Sequence, residues 1–355
     1  MGAYVVYGAF GGLNAGDEMI LRATVQQITS RDRQADINVL PLSRKIAPEA
    51  AQDYVQAGWR CLRSDNWRAL FGVLSRADLV IAGGQLLNGR PFPKSLIFLF
   101  GAALLARASG RRVLMVGTGS RDVSKFVLSR FLVRVILWLC TFSAVRDDAT
   151  LRDLQTSGVK GKYQPHLTAD VVWTLGTLGR QGLERRTIVF AVHRDPGEIH
   201  AALDRHLQML ASLREAFPDY SIAVAAHDWR DRFDGGLVAD MHRAAPTMCV
   251  PVLLHSASDA EALYEKAAVV VSSRMHPLII GSLCGASIVP IASSTKVDGL
   301  ARHFNLEPIT WNADRAALTS AVHAALTHQP RRNPDIIRQL QARSMLNFSW
   351  LGHGA

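Results

Sequence analysis

The segment VVSSRMHPLIIGSLCGASIVPI (Val270 to Ile291) changes character three times in a short space. An apolar run closes on Ser272 and Ser273, and Arg274 and His276 follow two residues apart. An apolar stretch of helical character then runs from Pro277 to Gly285, and a second apolar run begins at Ala286. Short Val- and Ile-rich runs bounded by turn residues read as buried strands, and a glycine after an apolar helix reads as its stop. The unit is strand–helix–strand, which makes a parallel pair. Ligands of open parallel sheets bind beyond the carboxyl ends of the strands, and a helix starting there offers free N–H groups to an anion. Arg274 and His276 stand at such an end. One reading is a loop whose polar residues happen to be basic; the other is an anion site with a proton donor beside it.

The same alternation extends in both directions. YVVYGAF is an opening strand followed by a glycine-rich turn and a helix from Asp17 to about Ile28. DINVLPL, DLVIAGG, RRVLMVGTG and FSAVRDD are further strands, separated by helices at DNWRALFGVLSRA, Leu96–Arg107 and Phe126–Cys140. Asp147 or Asp148 suits the N-cap of a helix that stops at Gly158. Leu167–Arg186, rich in glycine and polar residues, reads as a linker. A second series follows, with strands RTIVFAVHRD, YSIAVAAHD, AVVVSSR and ASIVPI. Its helices are Glu198–Phe217, AEALYEKA, the stretch after Pro277, STKVDGLARHF, Asp314–Thr327 and Pro334–Asn347. The expected fold is α/β: two Rossmann-like domains with parallel sheets. The first spans 1–175 and the second 186–330, and a C-terminal helix within 331–355 packs back. Two such halves would make a cleft between strand ends.

The totals bound the function. The 355 residues are 48% hydrophobic and 20% charged, which fits a globular chain of two domains. The net charge of +10 favours anionic partners, yet the arginines are scattered and no basic run appears, so nucleic acid is not expected as a partner. Cys61, Cys140, Cys249 and Cys284 lie far apart and read as reduced thiols, which suits the cytoplasm. The first residues lack the basic and long apolar regions of a signal peptide. Two apolar segments, Ser95–Ala108 and Lys125–Ala144, are too short or too interrupted by Arg130 and Arg134 to span a bilayer, which needs about twenty apolar residues. They read first as helices covering a sheet. The second reading is peripheral contact with the inner membrane face through Arg130, Arg134 and their apolar neighbours.

The strand ends gather the candidate chemistry. In the first half they are GGLNAGDE, GGQLLNG, GTGSRD and VRDD; in the second, HRD, AHD, SSRMH and SSTK. Asn14, Gly16, Gly83 and Gly84 are candidate substrate-binding positions where backbone can approach a ligand closely. Arg146, Arg194, Arg274 and Lys296 would add charge, and His276, with His193 or His227, proton transfer. Each has a plainer counterpart. The glycines of GGLNAGDE lack dinucleotide spacing, and no GxxxxGKS/T occurs. Asp17 and Glu18 suit a helix N-terminus, Arg146–Asp147 an ion pair, and His193 and His227 ordinary loop positions. No metal-ligand spacing appears, so neither a metal nor a cofactor is expected.

Taken in order, NAGDE (Asn14–Glu18), IAGG (Ile81–Gly84), AVRDDATLRDLQTSGV (Ala144–Val159), TADVVW (Thr168–Trp173), SSRMHPLIIGSLCGASIVPI and STKVDGL resemble the polysaccharide pyruvyl transferase family over roughly Tyr4 to Phe304. The resemblance implies a GT-B-like arrangement and transfer of pyruvate from phosphoenolpyruvate to a sugar as a cyclic ketal. The acceptor would be a glycan or a lipid-linked saccharide. It implies functional positions at Arg146, His276 and Lys296. His276 would be the acid or base, Arg274, Lys296 and Arg146 would hold the donor's carboxylate and phosphate, and Asp17 is a candidate base for the acceptor hydroxyl. Two loops depart from the family pattern. Gly83–Gly84–Gln85 replaces three glycines, and GTGSRDVSK (Gly117–Lys125) lacks the Gly-Pro ending. The alternatives are a GT-B nucleotide-sugar glycosyltransferase and a non-catalytic binding protein on the same fold.

Overall fold

The computed structural model describes residues 2–43, 46–179, 185–194, 199–311, 314–327 and 334–352. Two compact units emerge. The first holds Met1–Gly12, Asp17–Thr174 and Leu340–Ala355, and the second Leu13–Gly16 and Leu175–Gln339.

In chain order the first unit begins β1 (Ala3–Gly8), α1 (Ala15–Arg31), β2 (Asp36–Pro41), α2 (Pro48–Gln56), β3 (Arg60–Cys61), α3 (Trp67–Leu74), β4 (Asp78–Ala82) and β5 (Leu87–Asn88). It continues with α4 (Lys94–Ala108), β6 (Val113–Thr118), β7 (Ser120–Arg121), α5 (Val127–Leu139), β8 (Phe142–Val145), α6 (Asp148–Thr156) and β9 (His166–Leu167). Seven strands form one parallel sheet in the order β3-β2-β1-β4-β6-β8-β9. The central strands are buried on both faces, which is why they read as unbroken apolar runs rather than alternating ones. One face, through Val5, Tyr7, Leu79, Ile81, Val113 and Met115, packs on α3, α4 and α5.

The second unit contains β10 (Thr187–Ala191), α7 (Ile199–Ala216), β11 (Ser221–Ala226), α8 (Asp234–Ala244), β12 (Val250–Leu253) and α9 (Ala257–Glu265). β13 (Ala267–Ser272), α10 (Met275–Leu283), β14 (Ser287–Pro290), α11 (Thr295–His303) and α12 (Arg315–Thr327) complete it. Its parallel sheet runs β12-β11-β10-β13-β14. In both sheets the chain starts inside, winds outward to one side, then returns to the other. The order therefore reverses between β1 and β4 in the first sheet and between β10 and β13 in the second. Reversal leaves neighbouring strand ends with connections running to opposite sides, and ligands bind in that gap.

Three expectations change. The stretch expected as a linker is half interior: Thr168, Asp170, Val171, Val172 and Trp173 are buried. Its polar groups have fixed partners in the C-terminal segment, α13 (Pro334–Met345) and the turn that follows. The Thr168 hydroxyl donates to Asn347 Oδ1 (2.8 Å), Asn347 Nδ2 to the Ala169 carbonyl (2.9 Å), and the Ser344 hydroxyl to the Asp170 carbonyl (2.7 Å). Polar composition suggested solvent, and long-range hydrogen bonds supplied the alternative. Residues 180–184 of that stretch and the expected helix start at Glu198 lie outside the described residues. α10 begins at Met275, so Pro277 sits inside its first turn, where a missing N–H costs nothing. Lastly, α8 and β12 occupy a region in which no element was expected.

Candidate functional site

In the second unit, strand ends converge on Asp234, the first residue of α8, which has no exposed surface. Its Oδ1 accepts the Arg194 N–H (3.1 Å) and Arg274 Nη2 (2.7 Å), and its Oδ2 accepts the Asp228 N–H (3.1 Å). One carboxylate thus ties the ends of β10, β11 and β13. His193 Nδ1 stands 3.9 Å from the same Oδ1. The two glycines after Asp234 are obligatory. A Cβ at Gly235 would lie 1.9 Å from the Trp229 carbonyl oxygen, and one at Gly236 1.8 Å from that of Asp231. Asp234 was missed in the sequence, and the signal available was Asp-Gly-Gly opening an apolar run.

Arg274 is the N-cap of α10, and its backbone N–H donates to Ser272 Oγ (2.9 Å). Ser272 Oγ in turn donates to the Ala191 carbonyl (3.1 Å), fastening β13 to β10 at the reversal. His276, half-buried, packs against the NAG segment: a Cβ on Gly16 would fall 2.2 Å from His276 Nδ1. That segment is held by the Ala15 N–H donating to the His227 carbonyl (3.0 Å) and by an antiparallel bridge between Asn14 and Asp228. Asn14 Oδ1 accepts the Gly16 N–H (2.9 Å). Gly16 thus belongs beside His276 because no side chain fits there. Ser293 Oγ donates to the Ser273 carbonyl, which ties the loop leading to Lys296, in the first turn of α11, to the end of β13.

His227 is buried, and its Nε2 shares a 2.6 Å hydrogen bond with the Tyr264 hydroxyl. Burial, then the charges of Arg274 and His276, push its proton affinity well below the usual histidine range, so it is neutral. Among the described residues the buried atoms His227 Nδ1, Ser273 Oγ and Arg274 Nε have no hydrogen-bond partner. Buried polar atoms are nearly always paired, so these three, on residues at neighbouring strand ends, single the place out as the candidate site. Arg194 does not contribute its charge there: Nη1 pairs with Asp240 (2.8 Å) and Nη2 donates to the Asp231 carbonyl (2.6 Å).

In the first unit the reversal lies between the loops after β1 and β4. Glu18 is not a helix-end ornament but the anchor of the first loop. Its Oε1 accepts the N–H groups of Gly11 (2.9 Å) and Gly12 (2.7 Å), and its Oε2 the Tyr54 hydroxyl (2.8 Å). Burial raises its pKa to about 7, against the lowering effect of those hydrogen bonds. The free carboxyl titrates at 4.5, so between pH 4.5 and 7 the folded chain keeps a proton that the unfolded chain has released. This group's contribution is full below 4.5 and is lost as pH rises through 7. Glu18→Gln keeps an acceptor for both N–H groups. It is expected to raise stability by roughly 1–3 kcal/mol at pH 8 and to change little at pH 5. Thermal melts at both values check this, and equal differences at the two pH values would refute it.

Gly83 and Gly84 both adopt positive φ (49° and 63°). The space of a Cβ on Gly83 is filled by Ile20, 2.4 Å away, whereas one on Gly84 would face Asp17 Oδ1 at 3.1 Å. The two loops that depart from the family pattern are joined to each other. The Gly119 N–H donates to the Gly84 carbonyl (2.8 Å), Gln85 Nε2 to the Ser120 carbonyl (3.3 Å), and β5 pairs with β7. Arg146 lies beneath them, buried, with Nη1 on Asp170 Oδ2 (2.9 Å) and Nε 3.4 Å from Asp147 Oδ2. Its charge is spent on two carboxylates of its own unit. Asp147 also caps α6 by accepting the Thr150 N–H (2.7 Å). Among the described residues no three His, Cys, Asp or Glu side chains converge as a metal-holding group.

The comparisons with known proteins agree with this organisation. A family model described as polysaccharide pyruvyl transferase matches residues 14–295. No curated protein matches the chain in sequence. Among solved structures, the UDP-GlcNAc 2-epimerase from Methanocaldococcus jannaschii superposes with a TM-score of 0.67 at 10% identity, covering 100% of both chains. The UDP-GlcNAc 2-epimerase from Neisseria meningitidis, bound to UDP-GlcNAc, gives 0.63 at 9% identity, again covering 100% of both. Anabaena Alr3699/HepE in complex with UDP gives 0.59 at 11%, covering 98% of this chain and 96% of that one. At these identities the likeness shows the fold, two Rossmann-like domains of GT-B type, as expected from the sequence.

Proposed function

The chain belongs to the polysaccharide pyruvyl transferase family, and from that premise we propose that it moves pyruvate from phosphoenolpyruvate to two hydroxyls of a sugar, forming a cyclic ketal. The observation that carries the reading is the end of β13. There Arg274, Ser273 and His227 present buried polar atoms with no partner among the described residues, beside His276. Phosphoenolpyruvate carries a carboxylate and a phosphate, which suit a cation held rigidly by Asp234 and the first turn of α10.

The chemistry runs in balanced steps. His276 delivers a proton to C3, which leaves C2 electrophilic. One sugar hydroxyl adds to C2 and gives up its proton, with Asp17 as the base. The C2–O bond to phosphate breaks, the leaving phosphate carries the electron pair, and a second hydroxyl closes on C2. Its proton goes to phosphate or restores the acid. Arg274 and Lys296 offset the charge that builds on the leaving group. Arg146, already paired with Asp170 and Asp147, acts as a positioning residue beneath the Gly84–Gly119 contact. Asn14 and Gly16 set the distance of the backbone from His276. Gly83 and Gly84 shape the first unit's loop, where the acceptor glycan or lipid-linked saccharide is assigned.

The purified protein is expected to release phosphate from phosphoenolpyruvate only when a glycan acceptor is added, with a pyruvate adduct on the acceptor by mass spectrometry. Release of nucleoside diphosphate from a nucleotide sugar instead would favour the glycosyltransferase reading. No turnover across a broad glycan panel would favour a binding protein.

A further inference from the structure

No helix among the described residues is long and apolar enough to cross a membrane. Even so, the first unit exposes large apolar side chains on one side. α3, α4 and α5 all bury their inner faces in the same cluster against one face of the sheet, so their outer faces lie side by side as one surface. On α5, Val127, Phe131, Arg134 and Trp138 recur at spacings of four, three and four, opposite the buried Leu132, Val133, Ile136 and Leu137. Phe131 is 60% exposed and Trp138 59%; on α3, Trp67 is 65% and Phe71 60% exposed. Ile97 and Leu104 of α4 join them. A soluble protein rarely leaves so many large apolar groups together without a partner.

The charges on the same helices say which partner. The ionisable residues of α3, α4 and α5 are Arg68, Lys94, Arg107, Arg130 and Arg134, every one a cation. We propose that the outer face of the α3–α4–α5 layer docks on an anionic bilayer surface, its aromatic side chains entering the headgroup region and its cations meeting lipid phosphates. Trp and Phe beside Arg and Lys, with acids excluded, is the composition of an interfacial helix surface. A second copy of the chain is the weaker fit, because a twofold contact through this face would set cations against cations. The inference holds whichever donor the second unit uses.

The test is co-sedimentation of the full-length protein with vesicles of phosphatidylcholine alone or mixed with phosphatidylglycerol. Binding is expected to be roughly tenfold or more stronger on the anionic vesicles and to weaken with salt. The double variants Phe131→Ser/Trp138→Ser and Arg130→Glu/Arg134→Glu change outward or half-buried positions. Each is expected to lose binding roughly tenfold or more while thermal stability and turnover of a water-soluble acceptor stay as in the parent. Equal binding to both vesicle types, or no loss in the variants, would overturn the proposal. So would absence from vesicles together with a dimer that the Phe131→Ser/Trp138→Ser variant dissociates, which would assign the face to a second copy.

Discussion

Replacing His276 with glutamine is expected to lower kcat for acceptor-dependent phosphate release by roughly 10²–10⁴-fold, the usual scale for losing a positioned proton donor. KM for phosphoenolpyruvate is expected to change by only a few fold, because the anion is assigned to Arg274 and Lys296 rather than to the imidazole. The substitution is tolerated structurally: His276 is half-buried in the first turn of α10. Glutamine can still hydrogen-bond but cannot transfer a proton at neutral pH. Turnover within threefold of the parent, with the variant folded, would remove His276 from the proton-transfer role. A rise in KM at unchanged kcat would make it a binding residue instead. The Gly16 contact adds a control: a Cβ on Gly16 would lie 2.2 Å from His276 Nδ1, so Gly16→Ala is expected to displace the ring and lower kcat in the same direction.

Asp234→Ala is expected to destabilise the second unit by roughly 3–5 kcal/mol, the cost of leaving a buried cation without its counter-charge. Asp234 has no exposed surface and accepts from Arg274 Nη2 and the N–H groups of Arg194 and Asp228. Alanine strands all three donors at once. Asp234→Asn keeps one acceptor oxygen and is expected to fall between alanine and the parent. Hydrogen exchange at β10 and β13, together with chemical unfolding, measures the effect where it arises. A loss below about 1 kcal/mol for the alanine variant would mean that Arg274 and Arg194 find other partners, and Asp234 would cease to be the organiser of the strand ends.

Much of this was legible in the chain. The central strands of both sheets were expected because they are buried on both faces, which turns them into continuous apolar runs. The short edge strands β3, β9 and β12, largely exposed, carry no such run and were not. The Asp147 cap was readable because a cap acts over three residues. Arg274 and His276 could be placed together because a strand end and the following turn put them there without help from elsewhere. α8 was not readable: it opens on Asp-Gly-Gly, which reads as a turn. Those glycines are kept by carbonyls of the preceding loop that leave no space for side chains. Arg146 and Arg194 looked alike as strand-end cations, yet both turn inward to carboxylates that sequence distance hides, Asp170 in one case and Asp240 in the other.

The sequence by itself determined the α/β alternation, the family and the identity of the basic strand ends, because periodicity, caps and motifs act over a few residues. The tertiary structure alone decided which ends meet. The order of each sheet sets β10 beside β13 and β1 beside β4, far-apart segments whose pairing no local pattern encodes. It also placed Leu13–Gly16 in the second unit, where Gly16 faces a histidine 260 positions along the chain. Burial decides such pairings, since a carboxylate like Asp234 is tolerable in the interior only where several donors from distant strands close around it.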